Sequence, residues 1–434
     1  MIRLVSILTT FVITVSTTPT PRDVATVVGN SLVQHSHNFL NWEGGFTYGG
    51  AVTADGLAAA STIVLSKVSS SWLTTLDEWL DTYAAHDGTT SVPCNQHQPY
   101  GASNVTRSCA FNLANNISLN VSEWEWSTVG DSVGSFPLAY LERYLHRNGT
   151  VQDASIARNT VETYVYPYHH HLNDGTVSRT GGCCAPPSKA PANDAPFLWA
   201  DDQFMGLALM ARLSAAPGVA KKETQREWID HVATMQLNYA KYLLDDEDGL
   251  SAHGAYVDPT NPDIVLHSCC KWGRANGWGA MSRMEILKAM DTSFPSHPLR
   301  SSLLLDFKQF MDAMIAYQTD DGRWRQVVNE TSTYLETSVT AMMVTALATG
   351  IERGWLEREK YLSRVMLAWD SLVRNTVNMT SGVVDGVCMG TGIQTNLTGY
   401  SKRGTDYFQS APGGVGSVLL AAAAMDALLK NLLQ

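Results

Sequence analysis

The chain has 434 residues, enough for one large domain or two of ordinary size, and its 44% hydrophobic content supports a substantial core. Only 16% of the residues are charged, which argues against a disordered chain. The net charge of −11 disfavours nucleic acid or an anionic membrane as the main partner, although an anionic small ligand needs only a local group of cations.

The N-terminus has the parts of a secretory signal peptide. Arg3 precedes an apolar stretch too short to span a bilayer, and small residues and prolines follow it in MIRLVSILTTFVITVSTTPTPRD. We therefore expect residues 1–19 to be a signal peptide and residues 20–434 to form one secreted, extracellular domain. The C-terminal segment LLAAAAMDALLKNLLQ contains Asp426 and Lys430, so it predicts a packed terminal helix and not a lipid-anchor tail.

Glycosylation sequons and cysteines agree with secretion. Seven N-x-S/T sequons occur, at Asn104, Asn116, Asn120, Asn148, Asn329, Asn378 and Asn396. Seven cysteines in a secreted chain favour disulfide bonds over a metal site. Cys94 and Cys109 could pair locally. The vicinal pairs Cys183–Cys184 and Cys269–Cys270 could bridge to each other, with Cys388 as a further candidate, and the spacing leaves the connectivity open.

Helical periodicity recurs along the chain, and strand-like alternation is scarce. The pattern predicts twelve helices, near residues 24–39, 50–67, 69–86, 132–147, 151–166, 202–214, 221–244, 274–290, 297–318, 336–351, 355–375 and 414–432. The even-numbered helices are rich in small residues and apolar over most of their surface. The odd-numbered helices carry one polar face each, as expected of an outer layer.

The lengths of the connecting loops alternate in the same way. Links from even to odd helices are short, as in RNGT and ERGW, whereas most links from odd to even helices are long. Six inner helices would then begin at one end, beneath six mostly long loops. This arrangement predicts an all-α (α/α)6 barrel with a cleft at one mouth, where functional residues on loops would gather.

Acidic and aromatic residues mark the starts of the inner helices. An acid at such a position is more often a helix N-cap than a catalyst, and a lone Arg, Trp or His there is often structural. Taken together, these residues favour a carbohydrate site, because sugar rings stack on indoles and glycosidic chemistry needs carboxyl groups. The residues concerned are Asp131, Asp201, Asp202, Glu336, Arg274, Trp272, Trp278, His253 and Tyr48.

Other chemistries have less support. The run His169 to His171 is poorly spaced to face one metal ion, and no matching acid or cysteine spacing follows. The sequence contains no G-x-G-x-x-G, P-loop or G-x-S-x-G element, so nucleotide binding and a serine hydrolase are disfavoured.

Several stretches resemble glycoside hydrolase family 105, the unsaturated rhamnogalacturonyl hydrolases, and the related family 88 of unsaturated glucuronyl hydrolases. These stretches run in the family's order between about residues 130 and 425: WADDQFMGLALMARL, HGAYVD, KWGRANGWGAMSRMEIL, DGRWRQVVNETSTYLETSVTAMMVTALATGI and GGVGSVLLAAAAM. The resemblance implies an (α/α)6 barrel without a metal, acting on unsaturated acidic oligosaccharides left by pectin lyases. We also expect no cofactor and a monomeric protein.

The chemistry that this resemblance implies starts at a double bond. A carboxylic acid protonates C4 of the 4,5-unsaturated uronic acid at the non-reducing end, and water that the same group deprotonates adds at C5. The resulting hemiketal opens and expels the rest of the sugar chain. Such an acid/base needs a raised pKa, which burial beside apolar residues would supply.

The resemblance assigns roles by motif. Asp201 matches the acid/base, and Asp131 matches a second active-site aspartate. The matches to residues that bind the unsaturated sugar are His253, Arg274 and Trp278, with Trp272 nearby and Tyr48 on the first mouth loop.

The family motifs assign no role to Asp202, Arg179 or Lys189. Asp202 falls in the first turn of the helix, where it would cap free N–H groups or orient its neighbour and support substrate binding. The cysteine-rich loop SRTGGCCAPPSKAPANDAP departs from the family pattern, and Arg179 or Lys189 would stand in there to bind the uronate carboxylate.

Two alternatives remain open on sequence. In an endo-α-mannanase of family 76, both adjacent aspartates would act, one as nucleophile and one as acid/base, although the Arg274 motif and YLETS argue against it. The other alternative is a catalytically inactive, secreted sugar-binding barrel, against which the presence of both Asp131 and Asp201 argues.

Overall fold

A computed structural model describes residues 18–34, 48–85, 137–147, 149–166, 170–179, 196–258, 260–406 and 412–434. Most of the predicted signal peptide lies outside these residues, and so do Asp131, His169 and Lys189. The same holds for the other cysteines and sequons that the sequence singled out: Cys94, Cys109, Cys183, Cys184, Asn104, Asn116, Asn120 and Asn148.

Helices make up most of the described structure. In chain order they are α1 Pro21–Gln34, α2 Tyr48–Ser61, α3 Ser66–Ala85, α4 Pro137–His146, α5 Val151–Thr160, α6 Asp202–Met205, α7 Leu207–Ala215, α8 Lys222–Leu243, α9 Gly273–Ser293, α10 Arg300–Ala316, α11 Thr337–Glu352, α12 Arg358–Thr376, α13 Leu397–Ser401 and α14 Pro412–Leu432. A π-helical turn, Val161–Val165, extends α5. The predicted sixth helix is interrupted at Gly206, which separates α6 from α7.

Six of these helices close into a ring. Helix α2 packs against α14, α14 against α11, α11 against α9, α9 against α7, α7 against α4, and α4 against α2. Each inner helix also packs against an outer helix that is its neighbour in the barrel, in the pairs α14–α1, α2–α3, α4–α5, α7–α8, α9–α10 and α11–α12. The predicted (α/α)6 barrel is therefore confirmed.

Burial explains the two kinds of helix. In the inner helix α9, every residue from Gly273 to Leu287 is buried, which is why its sequence has no polar face. In the outer helix α12, buried residues such as Tyr361, Val365 and Trp369 recur at helical spacing on one side only.

Glycines close the ring between its first and last members. A Cβ at Gly56 in α2 would lie 2.4 Å from the carbonyl oxygen of Gly416 in α14, and a Cβ at Gly416 would lie 2.3 Å from that of Val52. No side chain fits at such distances, so the backbones of α2 and α14 can meet only where both residues are glycine.

The last helix is apolar because it belongs to this ring. The segment Gly414–Leu432 has a mean hydropathy of 1.5, long and apolar enough to cross a membrane, yet 56% of it is buried inside the protein. It packs against α2, α11 and α1, in agreement with the predicted packed terminal helix.

Short antiparallel strands occupy the long loops that lead into inner helices. They are β1 Phe197–Trp199, β2 Gly254–Val257, β3 Val265–His267, β4 Trp324–Arg325, β5 Leu335–Glu336, β6 Val387–Cys388 and β7 Thr405–Asp406. Strands β1, β2 and β3 form one sheet, whereas β4 pairs with β5 and β6 with β7. These two- to four-residue strands are too short to leave an alternating pattern in the sequence.

A buried group of charges ties three inner helices together. The guanidinium of Arg212 in α7 donates to both carboxylate oxygens of Asp55 in α2, at 2.7 and 2.9 Å, and to Oε2 of Glu285 in α9 at 2.9 Å. Burial opposes the ionisation of Glu285, but the nearby charge of Arg212 outweighs it and lowers the pKa of Glu285 to about 2. Glu285 is therefore a charged, stabilising member of the ring at neutral pH.

We expect Glu285→Gln to destabilise the protein in a pH-dependent way. The folded-state pKa lies below the ordinary value of 4.5, so the stabilisation is present above about pH 4.5 and is lost as the pH falls towards 2. The substitution should lower the free energy of unfolding by about 3–5 kcal/mol at neutral pH, measured by urea denaturation, and by progressively less below pH 4.5. Glu330→Gln, at an exposed glutamate, is the control. A loss that does not change with pH would contradict the assignment.

Candidate active site

The two adjacent aspartates sit in the turn between β1 and α6. Trp199 pairs with Gly254 at the end of β1, and the Ala200 amide donates to the His253 carbonyl at 3.0 Å. The Asp201 carbonyl then accepts from the amides of Phe204 and Met205, which starts the helix. This turn fixes both carboxylates next to the loop that carries His253.

Asp202 is held by an arginine. The Nε atom of Arg179 donates to Oδ2 of Asp202 at 2.7 Å, while Nη2 donates to Oδ1, and both side chains are buried. The guanidinium carbon also lies 4.3 Å from the centre of the Trp199 ring. Asp202 thereby supports the turn and engages the arginine that was a candidate for the uronate carboxylate. Its predicted contribution to substrate binding stays a prediction.

Asp201 is placed differently from its neighbour. It occupies the N-cap position of α6, but its side chain makes no capping hydrogen bond, and the residue is 8% exposed. No described residue donates a hydrogen bond to its buried Oδ1 atom, which lies 3.6 Å from Nε2 of His253. A buried carboxyl oxygen in this state can exchange a proton with a bound molecule.

Glu336 shows what an ordinary capping acid does in this fold. Its Oε2 atom accepts from the Val339 amide at 2.8 Å at the start of α11, and its Oε1 atom accepts from the Cys388 amide at 2.8 Å. Both oxygens also lie within hydrogen-bond distance of the Ser338 hydroxyl. The capping role that the sequence left open for every acid at the mouth applies to Glu336 and not to Asp201.

His253 is the centre of an aromatic cage. The ring is fully buried, the Trp199 indole nitrogen lies 3.0 Å from Nε2, and the Tyr400 hydroxyl lies 2.8 Å from Nδ1. The Trp272 ring centre is 4.5 Å from that of His253. The structure therefore brings three of the predicted residues, Asp201, His253 and Trp272, into one cluster.

Tyr400 belongs to this cluster and was missed by the sequence reasoning. It comes from α13, 147 residues after His253, and no motif marks it. Burial, together with the negative charge of Asp201, raises the pKa of its hydroxyl, although the Gln394 amide acts in the opposite direction. The hydroxyl therefore remains protonated and can act as a hydrogen-bond partner at neutral pH.

Arg274 lies buried behind Trp272. Its Nε atom donates to Ser338 Oγ at 2.9 Å, its Nη2 atom donates to the Cys388 carbonyl, and its guanidinium carbon is 5.2 Å from the Trp272 ring centre. Glu336 is also near, at 3.8 Å. These bonds fix the start of α9 against α11, and the predicted contact between Arg274 and a sugar stays a prediction.

The other predicted site residues are Trp278, Tyr48 and Asp131, and the structure describes only the first of them in full. Trp278 is 1% exposed and stacks on Phe204 with ring centres 4.9 Å apart, so it packs in the core next to the turn that carries Asp201. Its predicted sugar contact, like that of Tyr48 at the start of α2, stays a prediction. The side chain of Tyr48 and the whole of Asp131 lie outside the described residues.

The vicinal cysteines differ from the expected long-range bridge. Cys269 is bonded to its neighbour Cys270, whereas the Cys388 thiol is free, buried and accepts from Nε2 of Gln326 at 3.2 Å. The expectation that Cys269 and Cys270 bridge to the other vicinal pair is wrong in this structure, because the two adjacent cysteines form a disulfide bond with each other. Among the described residues, no group of three His, Cys, Asp or Glu side chains could hold a metal ion.

Comparison with known proteins agrees with this architecture. The model of Glycosyl Hydrolase Family 88 matches residues 138–429. A family 105 glycoside hydrolase structure from C. acetobutylicum superposes with a TM-score of 0.69 and 17% identity, covering 93% of this chain and 99% of the other. At that identity, the likeness in structure establishes the fold.

Curated relatives match over shorter stretches. The unsaturated rhamnogalacturonyl hydrolase YesR of Bacillus subtilis is 29% identical over 30% of this chain and 35% of its own length. An unsaturated 3S-rhamnoglycuronyl hydrolase of an Alteromonas species is 25% identical over 53% of this chain and 51% of its own length. The matched stretches thus span about half or less of these relatives.

We expect Asp202→Asn to destabilise the fold by leaving a buried arginine without its charged partner. Losing one member of a buried ion pair costs about 3–5 kcal/mol, whereas replacing both members by apolar residues costs much less. Thermal unfolding of Asp202→Asn should therefore occur at a clearly lower temperature than that of the parent. The double variant Arg179→Met, Asp202→Leu should recover part of the difference. Unfolding of Asp202→Asn at the parent temperature would contradict a supporting role for the ion pair.

Proposed function

Because the chain belongs to Glycosyl Hydrolase Family 88, we propose that it releases a 4,5-unsaturated uronic acid from pectin-derived oligosaccharides. The cleaved residue would stand at the non-reducing end of a rhamnogalacturonan-type chain, a substrate class suggested by the name of the Bacillus subtilis relative. We further propose that the protein is secreted, on the basis of its N-terminal segment and its sequons.

One observation carries the proposal for the chemistry. Asp201 is a buried carboxyl at the mouth of the barrel, with no described donor on Oδ1 and with Nε2 of His253 at 3.6 Å. In its acid form it can deliver a proton to C4 of the unsaturated ring. The positive charge that develops at C5 and the ring oxygen is then quenched by water, whose proton returns to Asp201.

The remaining steps need no second catalyst. Addition of water at C5 gives a hemiketal, which opens to a ketone and frees the C1 carbon from the ring. The hemiacetal at C1 then collapses and expels the rest of the oligosaccharide as an alcohol. Asp131 enters this proposal through its motif alone, as an aid to substrate binding and to the electrostatics of the site.

The geometry disfavours the mannanase alternative. A retaining mechanism with adjacent aspartates needs two available carboxyl groups, one as nucleophile and one as acid/base. Both oxygens of Asp202 accept hydrogen bonds from Arg179, whereas Oδ1 of Asp201 accepts none from the described residues. Only one of the two adjacent carboxyl groups is therefore available to a substrate.

Incubation with the products of pectin lyases tests the activity. The ultraviolet absorbance of the conjugated double bond should fall as hydration proceeds, and a free keto sugar should accumulate together with the shortened chain. Cleavage of α-mannan without loss of this absorbance would overturn the proposal in favour of the alternative enzyme. Binding of the oligosaccharide without any turnover would instead indicate an inactive barrel.

Asp201→Asn should abolish turnover and leave the fold intact. Positioned proton transfer contributes about 10²–10⁴-fold, so kcat should fall by at least that range while the circular dichroism spectrum and the unfolding temperature stay close to those of the parent. Asp263→Asn, an equivalent change at an exposed position of the β2–β3 loop, is the control and should keep full activity. A near-normal rate for Asp201→Asn would show that another group supplies the proton.

A further inference from the structure

The hydrogen bonds of His253 define where its proton lies. An indole N–H can only donate, and that of Trp199 points at Nε2 of His253 over 3.0 Å. Nε2 must therefore present a lone pair. In the neutral ring the proton then sits on Nδ1, which donates to the hydroxyl oxygen of Tyr400 at 2.8 Å.

Tyr400 is itself held in place by the loop that precedes it. The Gln394 amide donates to the Tyr400 hydroxyl at 3.1 Å, so this oxygen accepts from two N–H groups. Helix α13 begins at Asn396, whose side chain accepts from the Gly399 amide. Tyr400 is fully buried, so its hydroxyl has little freedom to follow the imidazole if the ring turns.

Close packing brings this loop onto β2. A Cβ at Gly254, the residue after His253, would lie 2.3 Å from Cδ1 of Ile393 and 2.9 Å from the Leu198 carbonyl oxygen, so the two segments are closely packed at this glycine. The sulfur of Cys269 also lies 3.6 Å from the Gln394 carbonyl oxygen. The segment from Ile393 to Tyr400 is thereby fixed against the strand that follows His253.

The tautomer matters for Asp201. The lone pair of Nε2 accepts from the Trp199 indole, so the nitrogen that lies 3.6 Å from Oδ1 of Asp201 offers that carboxyl no N–H group. The opposite tautomer would place an N–H group there and would instead donate to the carboxylate. The acid form is the one that the proposed hydration needs first.

We propose that Tyr400 is a positioning residue that fixes His253 with its proton on Nδ1, so that Nε2 offers no N–H group to Asp201. Tyr400 acts through His253 and need not touch the substrate. The catalytic consequence rests on the proposed function, whereas the tautomer is a property of the protein alone.

Tyr400→Phe tests both the tautomer of His253 and its effect on catalysis. The variant keeps the ring but leaves the Nδ1–H group buried without an acceptor, which favours the other tautomer. NMR of protein labelled with ¹³C and ¹⁵N in histidine, with the His253 signals identified by their loss in His253→Gln, should show the Nδ1–H tautomer in the parent. In Tyr400→Phe, the Nε2–H fraction should rise. On unsaturated oligosaccharides, kcat should fall about 10- to 100-fold with KM changed by less than about twofold.

Controls separate a positioning role from a structural one. Tyr140→Phe removes another buried tyrosine hydroxyl, which donates to the Leu80 carbonyl at 2.9 Å, and should leave both the tautomer and kcat unchanged. Trp199→Phe removes the donor to Nε2 and should also raise the Nε2–H fraction. This second variant tests the tautomer if Tyr400→Phe folds poorly.

An unchanged tautomer in Tyr400→Phe overturns the proposal, whether or not kcat falls. A changed tautomer with an unchanged kcat overturns its catalytic part. If the parent does not act on the oligosaccharides at all, the proposed function fails, and the NMR comparison still decides whether Tyr400 sets the tautomer.

Discussion

The ion pair between Arg179 and Asp202 is the interaction on which the candidate site depends. Two adjacent carboxylates in a buried turn repel each other and lose solvation, so such a turn is stable only if one of them has a charged partner. Arg179 supplies that partner through two hydrogen bonds, and it is fixed in turn by backbone pairing with Phe197 and by the ring of Trp199. The side chain of Asp201 takes no part in this ion pair. Of the two adjacent aspartates, the first, Asp201, is the candidate reactive residue, and the second, Asp202, supports the turn.

Much of the fold is predictable because helix packing produces a periodic pattern of apolar residues in the sequence. An inner helix such as α9 is buried on all sides and shows no exposed polar face, whereas an outer helix such as α12 shows one polar face. The long loops before the inner helices follow from the same alternation, and they do carry the site. The break between α6 and α7 at Gly206 could not be predicted, because one glycine in an apolar run is equally compatible with a continuous helix.

The site was predictable only as far as its residues lie in local motifs. Asp201 and His253 stand in recognisable stretches, and the structure places them 3.6 Å apart. Tyr400 reaches His253 from a distant part of the chain, and no spacing in one sequence records such a contact. Glu336 looked equivalent to Asp201, since both are acids at the start of an inner helix. Only the hydrogen bonds to Val339 and Cys388 reveal that Glu336 is a cap. The bond between Cys269 and Cys270 was missed for a similar reason, because spacing does not specify connectivity.

The glycine contact between α2 and α14 has a consequence for how the protein is made. These helices come from opposite ends of the domain, and their backbones touch at Gly56 and Gly416. During synthesis the first five inner helices emerge from the ribosome before α14, so the faces of α2 and α11 that α14 covers have no partner until α14 has emerged. Until then the nascent chain has to remain soluble while the ring is open. Helix α14 thus completes the ring last. A helix with a larger residue at the position of Gly416 could not pack against α2 in its place.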